Sequence, residues 1–102
     1  MPDLFVHTVR AMEIEFDPVK HAWNLLHRGL GFDRVAEFDF ESAVFSLDTR
    51  RDYGEVRRRA LGYLDGRLHA LVFVETQEGI RVISFRKANQ REVKRYEQTN
   101  ES

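Results

Sequence analysis

The chain has 102 residues, of which 42% are apolar, enough for one hydrophobic core but too few for two independent domains. It contains no cysteine, which excludes disulfides and thiolate metal sites and fits a reducing compartment such as the cytoplasm. No apolar run approaches the roughly 20 residues of a membrane-spanning helix, and the N-terminal stretch lacks the pattern of a signal peptide. We therefore expect a single cytoplasmic domain with no membrane partner.

The net charge of −1 conceals an unequal distribution between the two halves of the chain. Residues 1–49 carry four Lys/Arg and nine Asp/Glu, whereas residues 50–102 carry twelve Lys/Arg and eight Asp/Glu. A basic segment of this kind favours a phosphate-bearing partner such as nucleic acid. Charges that merely cover a solvated surface would give the same totals, so charge alone leaves both possibilities open.

The clearest local signals lie near the N-terminus. Residues 12–16 alternate between apolar and charged side chains, which predicts a half-buried strand. Asp17 can cap a helix, Pro18 suits its first position and Gly29 supplies a stop, so a helix is predicted over 18–28. Its apolar side is expected to face the core and consists of Val19, Ala22, Trp23 and Leu26. Its polar stripe, open to solvent or a partner, consists of Lys20, Asn24, His27 and Arg28.

A run of strands follows a short helix that is predicted over 32–38 with Asp33 as its cap. Asp65-Gly66 is a two-residue hairpin signal, because both positions of the favoured turn need a positive φ. The near-continuous apolar run 71–74 indicates a central strand that is covered on both faces. The strands are therefore expected to form an antiparallel meander over about residues 43–86, with segments 43–48, 56–64, 68–75 and 80–86.

Alternation within segment 80–86 places Arg81 and Phe85 on one face of the sheet and Arg86 on the other. A polar helix is predicted over about 87–98, followed by a tail over 99–102. The helix has few apolar side chains that could be buried, and these are Ala88, Val93 and Tyr96. The expected class is α+β, with one domain over 12–98, packed against the N-terminal helix, and an N-terminal extension over 1–11 that is either disordered or an added strand.

Common enzyme motifs are absent: the sequence has no Walker loop, dinucleotide fingerprint, HExxH pair or GxSxG elbow. The histidines are scattered, and His21 and His27 fall on different helical faces, so no metal site and no cofactor are predicted. What remains is a group of meander arginines whose planar forks suit phosphate oxygens. These arginines, which should lie near one another, are Arg57, Arg59, Arg81 and Arg86.

An RNA phosphodiester can be cleaved without metal when a base deprotonates the 2′-hydroxyl, cations stabilise the charge on phosphorus and an acid protonates the leaving oxygen. Glu55, His27 and Tyr53 are able to serve as base or acid. Each also suits an ordinary structural role. Glu55 could pair with a neighbouring arginine, Tyr53 could be a turn aromatic, and His27 could be an exposed helix residue.

Several motifs occur in a characteristic order. The first is Met12-Glu13-Ile14-Glu15-Phe16-Asp17-Pro18, followed by Lys20, Asn24, Gly29 and Phe32. The next are Asp48-Thr49-Arg50, Tyr53-Gly54-Glu55-Val56-Arg57, Leu61-Gly62 and Gly66-Arg67. The last is Arg81-Val82-Ile83-Ser84-Phe85-Arg86-Lys87-Ala88, followed by Glu92 and Tyr96. From Met12 to about Tyr96 the chain thereby resembles the BrnT family of type II toxin-antitoxin toxins.

The resemblance implies a RelE-like fold and a ribonuclease activity that halts translation. It also implies neutralisation by a cognate BrnA-type antitoxin, whose ribbon-helix-helix part binds the operon's DNA. The expected partners are therefore an RNA substrate and this antitoxin, with operator DNA reached only through the antitoxin and a toxin-antitoxin hetero-oligomer as the assembly.

The leading hypothesis is a metal-independent endoribonuclease toxin. The residues predicted to be catalytic are Arg57, Arg81, Arg86, Glu55 and His27. Those predicted to bind RNA are Lys20, Arg28, Tyr53, Arg59 and Lys87. Two departures from the family pattern, His27-Arg28 in place of lysine-histidine and Phe85 in place of a small alanine, support an alternative. In that alternative the chain is a weakened, non-enzymatic binding module that serves as antitoxin partner and co-repressor.

Overall fold

A computed structural model describes residues 12–101 as an α+β fold built on one five-stranded sheet. The strands are β1 (Glu13–Phe16), β2 (Val44–Leu47), β3 (Arg58–Leu64), β4 (Arg67–Glu75) and β5 (Gly79–Lys87). The helices are α1 (Pro18–Arg28), a 3₁₀ helix (Phe32–Glu37) and α2 (Gln90–Glu101). Within the described range no helix is long and apolar enough to cross a membrane. The extension predicted over 1–11 lies outside the described residues.

The strand order is β1-β5-β4-β3-β2, with β2 to β5 forming an antiparallel meander and β1 pairing in parallel with β5 at one edge. Asp65 and Gly66 adopt φ values of 52° and 74°, the two positive angles that the predicted hairpin turn requires. β4 occupies the centre of the sheet, as its apolar run predicted. The α+β class and the meander are thus confirmed, and the architecture is compatible with a RelE-like fold.

A β-bulge interrupts the pairing of β4 with β5. Val72 pairs with Ser84, but the next residue of β4, Phe73, pairs with Val82, so Ile83 is an extra residue on the β5 side. An extra residue reverses the inside-outside alternation of every side chain beyond it.

Because of this bulge, the prediction that Arg81 and Arg86 lie on opposite faces of β5 is wrong. Arg81 pairs with Val74 and Arg86 pairs with Ala70, two β4 residues that share one face because they are four apart. Arg81 and Arg86 therefore lie on the same face of the sheet, not on opposite faces as predicted. Phe85 points to the other face, where it is fully buried.

The main core lies on the face of the sheet that the 3₁₀ helix covers. It joins Leu30, Phe32, Val35 and Phe38 to Ala60, Leu64, Leu71, Phe73, Ile80, Val82 and Phe85 of the sheet. A smaller cluster lies under α2 on the other face and contains Leu61, Leu68, Ala70, Ala88 and Tyr96, with Val93 packed against it. The predicted burial of the α2 side chains is thus confirmed.

Two further sequence predictions are corrected near this core. β3 begins at Arg58, and Val56, which was predicted to begin this strand, is 63% exposed. The N-cap residue of the 3₁₀ helix is Gly31 and not Asp33, so the N-cap residue has no side chain that could accept from the helix N–H groups. The free backbone N–H of Phe32 donates instead to Nδ1 of His21 at 3.0 Å, so the imidazole replaces the predicted carboxylate cap.

Helix α1 has the predicted bounds, but its apolar side does not face the core as predicted. Its start is capped by Asp17, whose Oδ1 accepts from the Val19 N–H at 2.8 Å. The side predicted to face the core is exposed: Val19 by 74%, Trp23 by 52% and Leu26 by 79%, with Ala22 exposed as well. Of the predicted polar stripe, Lys20, His27 and Arg28 are exposed, as predicted, whereas Asn24 is buried.

Backbone hydrogen bonding explains this orientation. β1 pairs with β5 only as far as Val82, so the later part of β5 lies at an edge of the sheet. The Asn24 side-chain amide donates to the carbonyl of Phe85 at 2.8 Å and to that of Leu30 at 2.9 Å. Buried carbonyls without donors are costly, so these two bonds turn the polar residue inward.

Helix α2 begins at Gln90, three residues later than predicted, and continues to Glu101. The cause is a capping box, in which the Glu92 N–H donates to Asn89 Oδ1 and the Asn89 N–H donates to Glu92 Oε1, both at 2.9 Å. Lys87, which was predicted to start the helix, completes β5 instead.

Candidate functional site

The face of the sheet opposite the main core carries an aligned set of arginines, and we call it the arginine face. Arg59 of β3, together with Arg81 and Arg86 of β5, projects from it, because these residues pair with Val72, Val74 and Ala70 of β4. α2 packs over one end of this face, and the loop of residues 48–57 contributes side chains at the other end. Two carboxylates organise the arginines between them.

Glu55 holds the first pair of arginines. Its Oε1 accepts from Arg81 Nη2 at 2.7 Å and its Oε2 accepts from Arg57 Nε at 3.2 Å. The Arg81 guanidinium, with Arg57 assisting, holds the pKa of the Glu55 carboxyl below its ordinary value. Glu55 is thus an ionised and partly accessible carboxylate that joins a loop residue to β5.

Arg57 and the surrounding loop are held by a second set of contacts. The Arg57 guanidinium stacks 4.0 Å above the Tyr53 ring, and the Tyr53 hydroxyl donates to Asp48 at 3.2 Å. Asp48, which is buried, also accepts two bonds from Arg50 at 2.8 Å each. The Arg50 contact holds the pKa of Asp48 well below its usual range, so this carboxylate remains charged and anchors the loop.

Glu92 holds the second pair of arginines. It accepts two bonds from Arg86 at 2.8 and 2.9 Å and one from Arg59 at 3.2 Å. Its side chain is only 4% exposed, and Arg86 lowers its pKa to about 2. Since Glu92 also completes the α2 capping box with Asn89, one carboxylate fixes both the helix start and two guanidinium groups.

Arg50 is a member of this face that sequence analysis did not assign. Glu92 raises the pKa of Arg86, while the nearby charge of Arg50 opposes that rise. The sequence feature that could have identified Arg50 is the Asp48-Thr49-Arg50 motif, in which an acidic residue precedes an arginine at a spacing that allows a bidentate ion pair.

The remaining predicted residues lie away from these two pairs. His27 stacks on Trp23 at a ring-centroid separation of 4.6 Å, and Lys20 is exposed on α1. Arg28 and Lys87 line a cavity beyond the end of β5 together with Arg86. The structure therefore brings Arg57, Arg81 and Glu55 together with Tyr53, and Arg59 with Arg86, but leaves His27 in contact with neither pair. Among residues 12–101 no group of three His, Cys, Asp or Glu side chains is arranged to hold a metal ion.

The fold and this face define a small α+β protein with pre-arranged arginine forks of the kind that bind phosphate oxygens. The sequence profile of the family described as "Ribonuclease toxin, BrnT, of type II toxin-antitoxin system" matches residues 16–92, a range that includes every residue of both arginine pairs. The chain belongs to this family of toxin-antitoxin ribonuclease toxins, whose members act with an antitoxin partner. A comparison with curated proteins gives no match.

Proposed function

We propose that the chain is a metal-independent endoribonuclease toxin that acts in the cytoplasm, halts translation by cleaving RNA and is neutralised by a BrnA-type antitoxin with a ribbon-helix-helix DNA-binding part. The observation that carries this proposal is the contact of one ionised carboxylate, Glu55, with two guanidinium groups, Arg57 and Arg81. A phosphate bound by these arginines would lie beside a proton acceptor, which is the arrangement that metal-free cleavage requires.

Glu55 is the proposed general base. It takes the proton of the 2′-hydroxyl, the 2′-oxygen forms a bond to phosphorus, and the bond from phosphorus to the 5′-oxygen breaks. The products are a 2′,3′-cyclic phosphate and a 5′-hydroxyl end. Arg57 and Arg81 offset the charge that gathers on the phosphate oxygens. Tyr53 lies beside Arg57, whereas His27 contacts neither pair, so we assign Tyr53 the donation of a proton to the leaving oxygen. Its hydroxyl, which donates to Asp48 in the free protein, must turn toward the substrate to do so.

Substrate binding would also activate the base. In the free protein the positive charge of Arg81 lowers the pKa of Glu55. A phosphate that engages Arg81 and Arg57 adds negative charge beside the carboxylate and weakens its ion pairs, so the pKa of Glu55 rises. A higher pKa makes a carboxylate a stronger proton acceptor at neutral pH.

The test combines induction in cells with cleavage of purified RNA in the presence of EDTA. We expect induction without antitoxin to stop growth and degrade RNA, and purified chain to leave 2′,3′-cyclic phosphate ends. Glu55→Gln and Arg81→Ala should each reduce the rate by about 10²- to 10³-fold while remaining folded. Arg58→Ala is the matched control, since Arg58 also forms an ion pair, with Glu75, but lies on the opposite face of the same sheet.

Different failures have different meanings. Normal growth with intact RNA at confirmed expression would refute the ribonuclease assignment. If the purified chain binds RNA and antitoxin but cuts no RNA, the non-enzymatic co-repressor is correct instead. Full activity of Arg81→Ala would remove Arg81 from the mechanism.

A further inference from the structure

A second cationic site lies outside the two arginine pairs. A cavity of about 620 Å³ opens between the C-terminal end of α1, the β3–β4 hairpin and the end of β5. Its cationic lining consists of Arg28, Arg34, Arg67, Arg86 and Lys87, and the one carboxylate in its lining is Asp65. The volume falls within the roughly 300–1,000 Å³ of small-molecule sites.

Most of the positive charge in this cavity is not neutralised. Asp65 is already bound to Arg34 at 2.7 Å, and Arg86 is committed to Glu92. Arg67, Lys87 and Arg28 have no carboxylate partner in the described part of the chain; Arg28 bonds weakly to an amide oxygen at 3.3 Å. The cavity therefore combines three available cations with a wall that contains Leu30 and Leu64.

The pKa of His69 is affected by the positive charges that line this cavity. His69 is buried in the cavity wall, and its Nδ1 lies 2.8 Å from the Arg67 carbonyl. Burial lowers the pKa of His69, and the charges of Lys87 and Arg67 add to that effect. The imidazole is therefore mainly neutral at pH 7, so the positive charge of the cavity comes from its arginines and Lys87.

We propose that this cavity binds a nucleotide of the RNA strand next to the cleaved phosphate, with its phosphate held by Arg67 and Lys87 and its base against Leu30 and Leu64. Arg86 belongs to the Glu92 pair on the arginine face and also borders the cavity, whose strand residues Arg67 and Lys87 project from the opposite face. The later part of β5 is an edge of the sheet, so a strand that crosses the arginine face would reach the cavity by passing over this edge at Arg86. This proposal rests on the proposed function, since it assigns a flanking subsite to the same RNA substrate.

The test measures binding of a 2′-O-methyl oligoribonucleotide, which cannot be cleaved, by fluorescence anisotropy at several salt concentrations. The double variant Arg67→Gln/Lys87→Gln should bind about tenfold more weakly and lower the salt-dependence slope by about 1 to 2, as expected for lost phosphate contacts. Lys94→Gln/Arg95→Gln removes the same charge from exposed positions on α2 and is the matched control.

Equal losses in both double variants, or no loss in the first, would overturn the proposal. If the wild type cuts no RNA but the cavity variant alone loses oligonucleotide binding, the cavity proposal stands and the ribonuclease assignment fails.

A different observation concerns the exposed side of α1. Val19, Trp23 and Leu26 follow one another at i, i+4 and i+7, so they form one apolar stripe along the helix. Helix α1 contains no acidic residue, and Lys20 and Arg28 add positive charge beside the stripe. An exposed apolar stripe with a cationic border is a surface for a protein partner.

We infer that this stripe is the docking surface for the antitoxin, through an amphipathic helix whose apolar residues are bordered by acidic ones. Charge complementarity selects that partner, because α1 offers cations and no carboxylate. Family membership supplies the reason for a protein partner: a type II toxin acts with an antitoxin. The inference does not depend on ribonuclease activity.

The test co-expresses the chain with a BrnA-type antitoxin and measures the dissociation constant of the purified pair. Val19→Ser/Leu26→Ser should weaken the complex by at least about tenfold, because two apolar anchors are lost. Leu47→Ser/Val56→Ser is the matched control, since it removes a leucine and a valine that are 53% and 63% exposed, one in the edge strand β2 and one in the loop before β3.

Equal weakening in the control, or weakening in the control alone, would refute the docking surface. Acrylamide quenching of Trp23, the single tryptophan, gives a second check on the free chain. A quenching constant typical of an exposed indole supports the inference. A shielded indole would mean that residues 1–11 or a second copy of the chain already covers the stripe, and would overturn it.

Discussion

Glu92→Gln would show how much one buried carboxylate contributes to the stability of the fold. Arg86 lowers the pKa of Glu92 from 4.5 to about 2. A difference of one between folded and unfolded pKa values corresponds to about 1.4 kcal/mol, so ionised Glu92 contributes roughly 3 kcal/mol to the free energy of unfolding at neutral pH. Glutamine keeps the shape of the side chain but removes the charge, and we expect a loss of about that size.

The contribution of Glu92 to the free energy of unfolding depends on pH. Because the pKa of Glu92 is lower in the folded state, the unfolded chain binds more protons on this group as the pH falls below about 4.5. The contribution is therefore complete above pH 4.5 and is lost as the pH falls toward 2. The difference in unfolding free energy between wild type and Glu92→Gln should shrink over that window.

Urea denaturation followed by far-UV circular dichroism measures both quantities. Glu75→Gln is the control, because Glu75 also pairs with an arginine, Arg58, but its side chain is 60% exposed. Exposed ion pairs contribute at most about 1 kcal/mol, so the control should lose much less. A loss below about 1 kcal/mol for Glu92→Gln, or a loss that does not change between neutral and acidic pH, would refute the role assigned to Glu92.

Three further predictions address other contacts. Asn24→Ala should lower the urea-unfolding free energy by about 2 kcal/mol, since two carbonyls lose their donor; an unchanged midpoint would contradict the explanation for the orientation of α1. Gly62→Ala should lower Tm, because the added Cβ would lie 2.6 Å from Phe38 Cζ and overpacking costs about 1–3 kcal/mol; equal or higher Tm would mean that Phe38 moves freely. Arg81→Gln should raise the pKa of Glu55 toward its ordinary value in a ¹³C NMR titration; no change would show that Arg81 is not its main partner.

Local signals in the sequence were sufficient for the meander. Asp65-Gly66 defines the turn between β3 and β4 through its backbone angles, and the apolar run of β4 defines the central strand through burial on both faces. The bounds of α1 follow from Asp17 and Gly29 in the same way. Each of these features depends on residues that are close in the chain.

The orientation of α1 could not be obtained from periodicity. Spacing shows that Val19, Trp23 and Leu26 share one side of the helix, but it does not show what covers that side. Asn24 is turned inward by the carbonyl of Phe85, a residue 61 positions away, and no local pattern contains that contact.

The arginine face shows the same limit. Strict alternation separates Arg81 from Arg86, and the bulge at Ile83 that unites them arises from pairing with β4. The Asn89 and Glu92 capping box was visible in the sequence and would have moved the predicted start of α2 to the correct residue. Glu92 also accepts hydrogen bonds from Arg59 and Arg86, and this second role depends on tertiary contacts that the sequence does not reveal.

Chain order gives the Glu92 contact a consequence during protein synthesis. The ribosome completes Arg59 and Arg86 before it adds Glu92 and the rest of α2. Until that helix forms, neither arginine has the carboxylate that fixes its position. A growing chain that has not yet reached Glu92 therefore lacks the contact that fixes these two members of the arginine face. In chain order, the proposed phosphate-binding surface is thus completed only after residue 92 has been added.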